Sequence, residues 1–127
     1  MKTTNHEYYV SLEVAKLLKE AGFDWDTYSA YNKDGMFTDK NRSILTWNNF
    51  ANYYSAPTLD AAQRWLREVH HLHITIFSSS QESWMFRITK QHQSLEDGVY
   101  EEDFYTYEEA QEAGIKKALE IILEKGE

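Results

Sequence analysis

Three histidines lie close together near the middle of the sequence, in the segment His70-His71-Leu72-His73. On a β-strand His71 and His73 would project to the same face, because side chains alternate along a strand. Histidine is a common zinc ligand, so this pair is a candidate metal site, and a metal-dependent hydrolase is one hypothesis. A third ligand would have to come from His70, His92 or a carboxylate, and no HExxH spacing supplies it.

A plainer interpretation of the same cluster requires no metal. Histidines are favoured near the C-terminus of a helix by the helix dipole, and they are also common on a solvated strand face. We favour this structural interpretation, and we therefore expect no cofactor.

Two acidic clusters offer carboxylates. Asp24 and Asp26, with the nearby Asp34 and Asp39, do not have the spacing of a calcium-binding loop, so a solvated loop is the expectation. The second cluster comprises residues 96–97 and 101–103. It leads into a predicted helix N-terminus, which negative charge stabilises, and it is also a candidate docking surface for a basic partner.

Aromatic residues are numerous: the chain has four tryptophans, nine tyrosines and six phenylalanines. Many must pack in the core, but we expect some to be exposed and to bind a partner. The candidate binding residues, concentrated in the first half, are Trp25, Tyr28, Tyr31, Trp47, Tyr53 and Tyr54. Stacked aromatics can bind sugars or unpaired bases, yet Lys and Arg are scarce between residues 20 and 60. Tyr and Trp are also typical anchors of protein interfaces.

Catalytic motifs are missing from the sequence. It has no glycine-rich phosphate loop, no GxSxG elbow and no credible Ser/His/Asp grouping. An enzyme is therefore the less favoured class, although the sequence does not decide the question.

Composition limits the remaining classes. The 127 residues suit one domain, with residues 1–10 as a polar lead-in that we expect to be flexible. A net charge of -8 opposes binding to nucleic acids and to anionic membranes. The chain has no cysteine and no apolar run long enough for a membrane span, so a cytoplasmic location is expected.

The elements that must position these residues begin with a helix from Leu12 to about Ala21, capped by Ser11. The sequence next predicts a hairpin, in which a turn separates residues 28–31 from residues 36–37. A strand is predicted over residues 44–47, and no element is assigned to residues 48–56.

In the second half Thr58 caps a helix of about thirteen residues, in which Leu59, Ala62, Leu66 and Val69 recur at helical spacing, flanked by Trp65. Residues 72–77 and 84–89 alternate and predict an antiparallel hairpin, followed by a polar connection over residues 91–103.

The strongest local pattern is the capping box Thr106-Tyr107-Glu108-Glu109, with Tyr105 and Ala110 placed as a hydrophobic staple. The inward stripe of this last helix is Ala110, Gly114 and Ala118, followed by Ile121 or Ile122. Such small residues predict a close approach to another element, for which the protein's own sheet is favoured over a second copy of the chain.

The order of these elements predicts an α+β fold. We expect an antiparallel sheet of about 4–5 strands, with three helices packed mainly on one face.

Three strings in the sequence resemble a known family. They are APT at residues 56–58, QRWLREVH at 63–70 and YEEAQEAGIKKAL at 107–119; AKLLKEAGF at 15–23 is similar too. The family consists of small uncharacterised proteins of Bacteroidales bacteria, their prophages and their phages, and the resemblance covers about residues 53–123. Because that family has no established activity, the resemblance implies a genomic setting and assigns no site residue.

The leading hypothesis is a non-enzymatic interaction protein, in the setting of a phage or prophage accessory protein. It would use an aromatic and acidic surface to bind another protein or a second copy of itself, so a homodimer is one outcome. Single-stranded nucleic-acid binding through exposed aromatics is a further alternative, which the charge disfavours.

Overall fold

Each of the three helices begins after a hydroxyl side chain that accepts a backbone hydrogen bond. In the computed structural model, which describes residues 8–38, 45–80, 82–90 and 99–124, the helices are α1 (Leu12–Glu20), α2 (Leu59–His70) and α3 (Tyr107–Glu124). The caps are Ser11, Thr58 and Thr106, which accept from the N–H groups of Val14 at 3.3 Å, Ala61 at 3.1 Å and Glu109 at 3.0 Å. The predicted caps are therefore confirmed.

The strands of the described residues form two antiparallel sheets. The smaller sheet has the order β2-β1-β3, and the larger has the order β4-β5-β6. The strands are β1 (Ala30–Asn32), β2 (Phe37–Thr38), β3 (Tyr53–Ser55), β4 (Leu72–Ser80), β5 (Ser83–Lys90) and β6 (Val99–Phe104). The fold class is α+β, as predicted, and both predicted hairpins are present.

The predicted sheet differs from the structure in two respects: the described strands number six rather than about 4–5, and they form two sheets rather than one. β3 lies in the segment that the sequence left unassigned, and β6 lies within the supposed polar connection of residues 91–103, of which residues 91–98 are outside the described residues. The strand predicted over residues 44–47 was wrong in its described part. Leu45 makes only an isolated bridge to Thr27, and Trp47 opens a short 3-10 helix, Trp47–Asn49.

α3 packs against all three strands of the larger sheet and against both other helices. A Cβ atom at Gly114 would lie 2.9 Å from Ile74 Cγ2 and 3.2 Å from Phe86 Cγ. Only glycine allows this approach without a shift, so the predicted close contact with the protein's own sheet is confirmed. Ala110 and Ala118 are buried along the same stripe.

The inner face of α2 differs from the prediction at one position. Leu59, Ala62, Leu66 and the flanking Trp65 are buried, as predicted, but Val69 is 47% exposed. Among the described residues no helix is long and apolar enough to cross a membrane.

Candidate interaction surface

Two of the predicted binding aromatics lie in the protein interior. Tyr31 is 8% exposed, and its hydroxyl donates to the carbonyl oxygen of Val10 at 2.7 Å. Trp47 is 5% exposed, and its indole Nε1 donates to the carbonyl oxygen of Thr27 at 3.0 Å. Both side chains have their polar group satisfied by backbone, so packing accounts for them.

The other four predicted aromatics are more accessible but make separate contacts. Trp25 lies under the Arg64 guanidinium, Tyr53 packs on Trp47, and the Tyr54 ring lies beneath the ammonium groups of Lys16 and Lys19. Tyr28 is exposed over 60% of its surface. These contacts use the ring faces within the protein itself.

The histidine cluster is divided between two elements. His71 ends α2 in the left-handed conformation, with φ of 61°, whereas His73 belongs to β4. Burial lowers the pKa of His70, which lies edge-on to Trp65, and the charge of His71 lowers that pKa further. Within the described ranges no three His, Cys, Asp or Glu residues are grouped so as to hold a metal ion. The suggested third ligand His92 lies outside those ranges.

A different acidic and aromatic region stands out at the edge of the larger sheet. β6 is the last strand of that sheet, and its residues Val99 to Asp103 are all exposed. No described residue pairs with its outer side. At the opposite edge, the Gln63 side chain of α2 donates from Nε2 to the carbonyl oxygen of Ile74 in β4 at 2.8 Å. The two edges of the sheet therefore differ in how they are covered.

A bulge interrupts β6 near its C-terminal end. Phe104 lies opposite Trp84 and Glu101 lies opposite Phe86, so β6 has one residue more than β5 over this stretch. Asp103 has a positive φ of 77°, a backbone conformation that non-glycine residues seldom adopt. The regular part of the edge is therefore Val99 to Glu102.

Between β6 and the first turns of α3 lies an open groove of about 700 Å³. Its lining residues are Phe104, Thr106, Glu108, Glu109, Glu112 and Ala113. Phe104 and Ala113 supply an apolar wall, and the three glutamates supply negative charge. We call this groove together with the edge Val99–Glu102 the β6–α3 surface.

Two of the groove glutamates already accept backbone hydrogen bonds. Glu109 Oε1 accepts from the N–H of Tyr105 at 3.1 Å, and Glu112 Oε2 accepts from the N–H of Ser11 at 3.1 Å. The expected staple between Tyr105 and Ala110 is not formed, because Tyr105 is 84% exposed while Ala110 is fully buried. Tyr105 therefore extends into solvent beside the groove.

Aromatic rings support the β6–α3 surface from below. Phe104 packs on the buried Phe86 with ring centroids 5.9 Å apart, and Tyr107 meets Trp84 edge-to-face at 5.5 Å. Tyr100, at 62% exposure, is the exposed ring of β6.

The formal charges of the β6–α3 surface are all negative. Residues 99–115 contain six carboxylates, at positions 101, 102, 103, 108, 109 and 112, and no lysine or arginine. Within the part of the chain that the structure describes, none of the six is in an ion pair. This surface therefore concentrates six carboxylates that no ion pair of the described residues neutralises.

The docking candidate predicted from the sequence comprised residues 96–97 and 101–103 without the aromatics around them, and residues 96–97 lie outside the described residues. Tyr100, Tyr105 and Tyr107 are interleaved with the acidic groups in the string VYEEDFYTYEE. That interleaving was the available signal. Residues 91–103 were predicted as a loop, in which side chains do not alternate regularly between two faces. The prediction therefore gave no reason to expect these aromatic and acidic side chains on one surface.

Comparison with known proteins gives no further guide to this surface: no protein-family model, curated protein or solved structure matches the chain. The resemblance to proteins of Bacteroidales and their phages therefore stays a prediction.

Proposed function

We propose that this chain is a non-enzymatic interaction protein that binds a basic segment of another protein at the β6–α3 surface. The observation that supports it most is the set of six carboxylates beside the exposed Tyr100 and Tyr105. Lysine and arginine combine an apolar stem with a charged head. The apolar wall of the groove and its glutamates suit both parts of such a side chain.

Stabilisation of the α3 N-terminus accounts for only part of this charge. Glu108 and Glu109 lie in the first turn of α3, where the helix dipole favours carboxylates. Glu101 and Glu102 lie in β6, outside that turn, and the dipole effect falls off within one turn. Attraction of a cationic partner would account for the carboxylates of Glu101 and Glu102, which the helix dipole does not explain.

The cellular setting is also part of the proposal. The resemblance described above supports a phage or prophage accessory role, and the cysteine-free sequence suits a cytoplasmic one.

A direct test uses a fluorescein-labelled peptide in which lysine and arginine alternate with valine, with fluorescence anisotropy as the readout. We expect binding that weakens as salt is added, because added ions screen exposed charges. Glu101→Gln with Glu108→Gln should weaken binding about five-fold, since exposed pairs contribute up to about 1 kcal/mol each. The matched control is Glu20→Gln with Asp24→Asn, which changes net charge equally at exposed positions of α1 and the loop after it. Equal affinity in both double variants would refute the proposal.

A further inference from the structure

The outer edge of β6 has no partner strand among the described residues. In an antiparallel sheet, every second residue of an edge strand directs its N–H and C=O away from the neighbouring strand. Among the described residues nothing pairs with these groups on β6, whereas a side chain from α2 covers part of the β4 edge. Exposed edges of this kind are templates for a further strand.

The register with β5 shows which face each β6 side chain occupies. Glu101 lies opposite Phe86, which packs under α3, so Glu101 is on the helix side of the sheet together with the groove. Tyr100 lies opposite Arg87 and is therefore on the other side. Glu102 shares the face of Tyr100, because side chains alternate along a strand. A strand added beside β6 would direct alternate side chains toward Glu101 and the groove on one face, and toward Tyr100 and Glu102 on the other.

From this geometry we infer that the basic partner binds as a fourth strand of the larger sheet, paired with Val99–Glu102. Its lysines or arginines, at every second position, face Glu101 and the groove glutamates. Its intervening apolar residues pack on Tyr100. The inference rests on the proposed function and adds to it the conformation and the sequence pattern of the partner.

The length of the added strand follows from the bulge. Beyond Glu102 the positive φ of Asp103 turns the backbone out of the regular pattern. A bulge interrupts the ladder locally and bends the strand, and pairing with β5 resumes only at Phe104. About four residues of the partner should therefore pair, and the residues that follow should lie over the groove.

Charge excludes a second copy of this chain as the preferred occupant. Pairing two β6 edges would bring residues 101–103 of both copies together, six carboxylates in all. Like charges on neighbouring strands repel, so the acidic edge disfavours a second copy and favours a cationic strand.

The test compares three peptides of the form Val-Lys-Val-Arg-Val-Lys-Val, blocked at both ends. One is unmodified, and each of the other two carries N-methyl groups on one of the two alternating sets of backbone nitrogens. An N-methyl group removes the donor and blocks pairing on its side of the strand. We expect one methylated peptide to bind at least about ten-fold more weakly, the effect of losing one or two hydrogen bonds. The other should bind like the unmodified peptide.

The outcomes separate the two proposals. Salt-sensitive binding of the unmodified peptide with equal affinities of the two methylated peptides would overturn strand addition and leave the basic-segment proposal standing. Failure of all three peptides to bind would overturn both. Hydrogen exchange gives an independent readout: the unmodified peptide should slow exchange of amides in Val99–Glu102, and unchanged exchange there contradicts strand addition.

Discussion

Glu112 of α3 accepts a hydrogen bond at 3.1 Å from the backbone N–H of Ser11, the residue that caps α1. In a capping box this N–H is bound by the side chain three residues later. That position is occupied by Val14, which has no acceptor. A glutamate from α3 thus completes the cap of α1, and Lys116 and Glu13 join the same two helices by an ion pair of 3.0 Å.

Removing the Glu112 carboxylate should destabilise the fold. We expect Glu112→Ala to lower the free energy of unfolding by about 1 kcal/mol, the typical effect of losing a helix cap. Urea denaturation measures this difference. Glu112→Gln keeps an acceptor and should lose less. Asp24→Ala, which removes an exposed carboxylate in the loop after α1, is the control. A loss as large in the control as in Glu112→Ala would contradict the long-range cap.

Adding one methyl group at Gly114 tests the contact between α3 and the sheet. Gly114→Ala would place Cβ 2.9 Å from Ile74 Cγ2. Overpacking a core typically destabilises a protein by about 1–3 kcal/mol. We expect this loss of stability to exceed the gain of about 1 kcal/mol that alanine brings by its higher helix propensity. Thermal unfolding should therefore show a lower melting temperature. A raised melting temperature would mean that the sheet accommodates the methyl group freely.

Tyr31 should titrate separately at high pH. Burial, with a smaller contribution from the negative charge of Glu112, raises the pKa of Tyr31 from 10.0 to about 12. The folded state therefore holds this proton more tightly than the unfolded state. Its stabilising contribution is complete below pH 10 and is lost as pH rises toward about 12.

The measurement is tyrosinate absorbance of the folded protein during alkaline titration. The difference between the wild type and Tyr31→Phe should show one transition near pH 12. The exposed Tyr28 provides the control variant, Tyr28→Phe, which should leave that transition in place. If Tyr31→Phe leaves it unchanged as well, the assignment fails.

A buried glutamine connects α2 and α3. Gln111 is 2% exposed, and its Nε2 donates to Asp60 Oδ1 at 2.7 Å and to Gln63 Oε1 at 2.8 Å. Gln111→Leu removes both donors, and we expect a loss of about 1–3 kcal/mol because the acceptors lose their partner. Gln111→Glu places a carboxylate against Asp60 instead.

The two variants should respond differently to pH. The loss in Gln111→Glu should decrease as pH falls toward about 4, where carboxyl groups become protonated and repulsion ends. The loss in Gln111→Leu should change much less over that range. Denaturation curves at several pH values provide the comparison, and parallel behaviour of the two variants would show that repulsion from Asp60 is not the cause.

Features that depend on neighbouring residues were predictable from the sequence. Ser11, Thr58 and Thr106 each bind an N–H three residues later, so their caps are visible in a short string. The close contact at Gly114 was also predictable from a short stretch of sequence. A glycine destabilises a helix relative to alanine, and close packing against a neighbouring element can offset that loss.

The β6–α3 surface was only partly predictable, because it depends on contacts between distant residues. Glu101, Glu102 and Asp103 have poor strand propensity, and pairing with β5 outweighs it. Burial of Tyr31 and Trp47 likewise depends on backbone acceptors twenty or so residues away. A local pattern identified the residues 101–103 as a docking candidate but not the sheet edge on which they lie.

The joining of α1 to α3 also constrains how the protein folds during synthesis. Residues 11 and 13 find their partners at 112 and 116, so most of the chain must leave the ribosome before the cap of α1 is complete. Contacts of such long sequence separation slow folding. A nascent chain stalled before residue 112 should therefore remain sensitive to proteases even though α1 and α2 have already been made.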